Sequence, residues 1–191
     1  MKQSVVLCIV VLAAACGNQN GPLTQQRTPV RPATPPSVAY LEGTNAADAL
    51  KQVRAKVGEP FRVLKISVSD HSMRVQAQDP KKPENVDEYR IWGGQIQGPA
   101  PVRLFGQTSQ KVLEQNLFDP SDVALEKIPE LVREADEKVV LEGREPTPSV
   151  TIKRKLPFEE YVSIDVDYAG ARKNGYLHTD RHGKNTKVRI F

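Results

Sequence analysis

The chain has 191 residues, a formal charge of +4, a sequence pI near 9.1 and two cysteines. Both cysteines, Cys8 and Cys16, fall near the start, which excludes a disulfide framework, a thiol nucleophile and a cysteine metal ligand from the rest. The basic pI comes without interleaved aromatic and basic residues, which argues against nucleic acid as a partner.

The chain opens on Met1-Lys2-Gln3-Ser4, with Lys2 as its one early charge, and an apolar run follows from Val5 to Ala15. That run is far short of the roughly 20 residues a spanning helix needs and suits a signal-peptide core. It ends in Ala13-Ala14-Ala15-Cys16-Gly17, small residues ahead of a thiol. The segment resembles the lipobox of bacterial lipoproteins, with Leu12 just upstream and Ala13 where the family usually has Leu or Val. The resemblance implies cleavage after residue 15, acylation of Cys16 and attachment to a membrane through two or three acyl chains. Gly17-Asn18 lacks the Asp that signals inner-membrane retention, which implies an outer-membrane protein facing the periplasm in a Gram-negative host. The alternative is an ordinary secretory signal, because Ala-x-Ala also suits the general signal peptidase.

Residues 16–38 hold five prolines and no apolar periodicity, the composition of an extended tether. Ala49, Leu50, Val53 and Val57 then predict a helix face, stopped by Gly58 and Pro60. Strands are predicted at 62–68, 73–78 and 86–92, the last ending at Gly93-Gly94, with an irregular or edge strand to Leu104. Asp79–Asn85 reads as a loop.

A second segment opens at Phe118-Asp119-Pro120-Ser121-Asp122 with a helix cap. Val123, Leu125, Ile128, Leu131, Val132 and Ala135 form an apolar stripe, and Pro129 fits the first turn of a restarted helix. Val139–Gly143 is expected to begin a sheet. Strands follow at 150–154 and 161–168, and a hairpin spans 175–191 through Gly183. Charge is uneven: residues 108–148 hold five Lys/Arg and ten Asp/Glu, residues 149–191 nine and five.

The two segments align over short stretches. Ala49–Val53 matches Ala124–Ile128, and Ser72–Val75 matches Ser149–Ile152. The expected fold is therefore α+β, with two similar units, each a helix packed on an antiparallel sheet of three to four strands. The expected divisions are a signal peptide at 1–15, the lipidated tether at 16–38, and repeats at 39–107 and 108–191. This plan resembles the PepSY-like and BamE/BLIP-like envelope domains, and the closing hairpin Tyr176–Lys184 is similar to the turn of PepSY repeats. The resemblance implies a protein that binds partners, inhibits an enzyme or helps assemble envelope machinery.

Candidate chemistry is sparse. His178, Asp180 and His182 share the spacing of a strand face and are weak candidates for a metal site, although Asp180–Gly183 also reads as a turn. Asp165 and Asp167 are expected to face water, and Glu159-Glu160 to lie on a loop. Ser121 and Ser149 have no glycine elbow around them. Trp92 and Tyr89 are aromatic candidates for a binding surface, and Lys153, Arg154 and Lys155 form a basic triplet suited to anionic lipid or cell-wall polymer. No catalytic residues and no cofactor are expected. The predicted function is a membrane-anchored, non-catalytic binding or scaffolding module, with an envelope protein or the cell wall as partner and no nucleic acid. The alternatives are an inhibitor-like or hydrolytic module acting on a periplasmic protein or the cell wall, and a structural spacer.

Overall fold

The computed structural model describes residues 38–104 and 110–191 (for Lys155, the backbone only). Residues 1–37, with Cys16 and nearly all of the proline-rich stretch, lie outside them. Among the described residues no helix is long and apolar enough to cross a membrane.

The helix α1 (Asn45–Val57) buries Ala46, Ala49, Leu50 and Val53 and stops at Gly58, whose φ of 90° suits a residue without a Cβ. Four antiparallel strands follow: β1 (Val63–Ser69), β2 (Ser72–Asp79), β3 (Lys82–Trp92) and β4 (Gln95–Pro101). Short α2 (Gln110–Asn116) leads to two 3-10 turns, Pro120–Asp122 and Leu125–Lys127, and then to α3 (Ile128–Lys138). Pro129 stands in the first turn of α3, where its missing N–H costs nothing. The second strand run is β5 (Ser149–Lys155), β6 (Glu159–Tyr168), β7 (Gly175–Asp180) and β8 (Lys187–Ile190).

The expectation of two helix-on-sheet units is overturned. All eight strands form one sheet in the order β4-β3-β2-β1-β5-β6-β7-β8, and the fold is mainly β with three α-helices among the described residues. The cause is the β1–β5 pairing, from Lys65↔Lys153 to Val68↔Val150, which joins the two strand runs edge to edge. It sets Ile66, Ile152 and Ile164 in one cross-strand row, and Val68, Val150, Val166 and Leu177 in the next. These side chains are fully buried in a single large cluster that also takes in both long helices. Splitting the sheet at β1–β5 would expose both rows, at about 1.5–3 kcal/mol for each such side chain.

The aligned stretches occupy non-equivalent places. Ser72–Val75 opens β2, whereas Ser149–Ile152 opens β5, the partner of β1. Ala49–Val53 is helical, whereas Ala124–Ile128 is largely a 3-10 turn. Val139–Gly143 is not a strand either. Val139 is buried, Val140 is exposed, and Arg144 folds back to donate to the Asp136 and Val139 carbonyls. The Arg144 guanidinium lies 4.4 Å from the Tyr168 ring centre, and the Tyr168 hydroxyl donates to Asp136 at 2.5 Å. Burial first, and then the Asp136 carboxylate, raise the Tyr168 phenol well above its usual range.

Candidate functional site

Successive side chains of a strand point to opposite faces. The face holding Ile66, Ile152 and Ile164 is covered by α1, packed on β2, and by α3, packed on β6 and β7. On the other face, α2 closes one end through the small apolar cluster of Val86, Leu113 and Leu117. Register fixes what stands on the remainder of this open face. One row reads Arg90, Arg74, Ser67, Thr151, Asp165, His178 and Lys187, and the next reads Glu88, Gln76, Lys65, Lys153, Ser163 and Asp180.

Within these rows, Arg74 stands directly opposite Arg90, and Lys65 directly opposite Lys153. Like charges facing each other across a strand pair destabilise a sheet by a fraction of a kcal/mol. The two pairs are offset diagonally in adjacent rows, and Glu88 stands on β3 at the end of the second row, where it accepts from the Gln76 amide at 3.2 Å. Beside them, Ser67, Ser69, Ser72, Arg74 and Ser149 line a hollow of 180 Å³.

The other half of the face holds a buried hydrogen-bonded chain. His178 Nδ1 lies 2.6 Å from Asp165 Oδ1, and both residues are under 5% exposed. A carboxylate only accepts, so Nδ1 carries a proton toward Asp165, and the Tyr161 hydroxyl lies within hydrogen-bond distance of Nε2, at 3.2 Å. Glu159 Oε1 stands 3.8 Å from the same nitrogen. Tyr161 is half exposed and joins His178, Asp180, Asn185 and Lys187 around a cavity of 320 Å³. A carboxylate–imidazole–phenol chain of this kind can orient a hydroxyl and take its proton.

The candidates named from sequence scatter. Asp165 does not face water; it is buried against His178, and Glu159-Glu160 begins β6 rather than lying on a loop. Asp180 builds the β7–β8 turn: Oδ1 accepts from the N–H of His182 and Lys184, and Oδ2 from the Asn185 amide. Burial opposes its charge, but these three donors outweigh it and hold the carboxyl below its usual range. His182 accepts from Arg181. His178, Asp180 and His182 are thus each otherwise engaged, and no three His, Cys, Asp or Glu among the described residues are placed to hold a metal ion. Tyr89 lies in the core, where burial raises its phenol, and Trp92 ends β3 on the open face. Arg154 donates to the Gln115 carbonyl at the end of α2, while Lys153 faces Lys65.

No protein-family model matches the chain, and no curated protein matches it by sequence. Among solved structures, the chain resembles a candidate lipoprotein from Clostridium difficile 630. The TM-score is 0.53, with 13% identity over 83% of this chain and 97% of that one. At that identity the likeness is one of fold alone.

The Asp165–His178 pair escaped the sequence reading because its members are 13 residues apart. A signal existed. Tyr168 pairs with Gly175 across the turn at 169–174, and counting outward from that turn sets His178 opposite Asp165.

Proposed function

We propose that the chain is an envelope lipoprotein, anchored through Cys16, whose folded part works by binding a partner that presents anionic groups. The leader ending in Ala15-Cys16 and the proline-rich segment behind it support the anchor, as does the fold likeness to a candidate lipoprotein. Gly17-Asn18 supports the outer membrane, facing the periplasm.

The observation that carries the binding reading is the facing of Arg74 and Arg90, both exposed, across β2 and β3. Facing guanidinium groups weaken the strand pair that holds them, whereas an anionic partner would relieve the repulsion. The serine-lined hollow beside them supplies hydroxyl donors for an anionic oxygen. The test measures cosedimentation of the full chain, in detergent-free form with Cys16→Ser, with phosphatidylglycerol vesicles and with purified cell-wall polymer. Binding at low salt that weakens at physiological salt, and that drops at least tenfold in Arg74→Glu, supports the reading. Equal binding by the wild type and Arg74→Glu refutes it. Mass spectrometry of protein from cells tests the anchor separately, and an unacylated Cys16 would remove it.

A hydrolytic module is the second reading, favoured by the Asp165–His178–Tyr161 chain at the cavity. It requires an activated Tyr161 hydroxyl. Covalent labelling by an aryl sulfonyl fluoride at Tyr161, lost in His178→Asn, would support it, and no labelling above that of other exposed tyrosines would end it.

A further inference from the structure

The sheet has two edges, and they are built in opposite ways. At one edge β4 carries Pro99 and Pro101, which have no N–H to offer, and its register against β3 shifts between Glu88 and Arg90. Proline and irregular register are the usual means of keeping a further strand from adding to a sheet. At the other edge β8 reads Lys187-Val188-Arg189-Ile190, with no proline and unbroken register against β7. All four residues are exposed.

Which backbone groups β8 turns outward follows from its ladder. Phe191 and Asn174 exchange both N–H···O bonds, at 3.0 and 3.1 Å. Bonded and non-bonded pairs alternate along an antiparallel ladder. The Arg189↔Tyr176 and Lys187↔His178 pairs are therefore bonded, and Val188 and Ile190 direct their N–H and C=O groups away from β7. The side chains alternate as well. Val188 stands on the same face as its partner Leu177 in the core, Ile190 shares that face, and Lys187 and Arg189 stand on the open face. Val188 is 38% and Ile190 46% exposed, an apolar pair left at the rim of the core.

We infer that β8 is a docking edge for an extended segment of a partner protein in which apolar and acidic residues alternate. An added strand would complete the outward hydrogen bonds of Val188 and Ile190. It would cover their side chains with its apolar residues and set its acids opposite Lys187 and Arg189. A second copy of the chain fits poorly. Antiparallel pairing of β8 with itself about residue 189 places Arg189 against Arg189, and pairing about residue 188 places Lys187 against Arg189. The 17–38 segment of the same chain fits no better, since it holds five prolines, Arg27 and Arg31 but no acid. This docking edge is separate from the Arg74–Arg90 surface and stands on different observations.

The test titrates the full chain, in the Cys16→Ser form, with a peptide alternating valine and glutamate, beside one alternating valine and lysine. Binding and amide hydrogen exchange at β8 are measured together. The expected result is binding of the glutamate peptide alone, with exchange slowed at Val188 and Ile190. Ile190→Pro removes an outward N–H without touching the β7 ladder and should abolish binding with the thermal midpoint unchanged. Arg189→Glu should turn the preference toward the lysine peptide, and this reading holds even where the proline variant folds poorly. Equal affinity for both peptides, binding without protection at β8, or a dimer that Arg189→Glu strengthens would overturn the inference.

Discussion

His178 Nδ1 and Asp165 Oδ1 lie 2.6 Å apart on neighbouring strands, buried on the face of the sheet that the long helices leave open. Burial of this kind makes each partner dependent on the other, because an orphaned donor or acceptor cannot turn to water.

Replacing Asp165 by alanine should therefore cost about 1–3 kcal/mol, the range for stranding a buried polar group. Asp165→Asn should cost less, since its amide oxygen can still accept from Nδ1. Denaturant unfolding with an unchanged m-value reads both. A loss in the alanine variant no larger than that of an exposed control would contradict the buried pair.

Ile164 sits in the cross-strand row with Ile66 and Ile152 and is fully buried. Ile164→Ala should remove about 2–5 kcal/mol through lost burial and the cavity left behind. Val188→Ala, on the exposed edge strand, should change stability by less than about 0.5 kcal/mol. Similar losses at the two sites would mean that β8 is as well covered as the sheet centre.

The folded protein holds the carboxyl of Asp180 below its unfolded value, and the Ser121 hydroxyl and N–H do the same for Asp119. A carboxyl lowered in this way contributes stability above its unfolded pKa and loses it as pH falls through the folded value. Stability should be flat near neutrality from this source and decline below about pH 4, where model carboxylates begin to protonate. Asp180→Asn should be less stable at neutral pH and show a shallower acid decline. An acid limb identical to the wild type would show that Asp180 does not contribute.

Gly98 in β4 has a φ of 108°, and a Cβ there would stand 2.6 Å from the Glu88 carbonyl oxygen. Gly98→Ala should cost about 1–3 kcal/mol in backbone strain. The damage should be local, with faster amide exchange along β4 and β3 and no change in β7. Slow exchange retained in β4 would mean the strand accommodates the methyl group.

Much of the local structure was legible in the sequence. The spacing of Ala49, Leu50, Val53 and Val57 gave α1, and Pro129 correctly opened α3. Alternation over 161–168 placed Val162, Ile164 and Val166 on one face of β6, and Gly183 placed the β7–β8 turn. Each of these depends on neighbours a few residues away, whose side chains fall on one face by the period of the element itself. The same reading missed α2, whose burial rests on Leu113 meeting Val86 from a distant strand. It also mistook Val139–Gly143 for a strand, because Arg144 and Tyr168 hold that segment from outside it.

What composition and spacing determined, then, was the set of pieces: a short apolar run ahead of Cys16, a proline-rich stretch, helices with one apolar stripe and strands with one apolar face. What only the tertiary structure decided was how they join. β1 met β5 and made one sheet from two strand runs, and the same registers brought His178 to Asp165 and Arg74 to Arg90. Alternation says which face a side chain takes but not which strand lies beside it. That choice belongs to whichever pairing buries the most apolar surface across the whole chain.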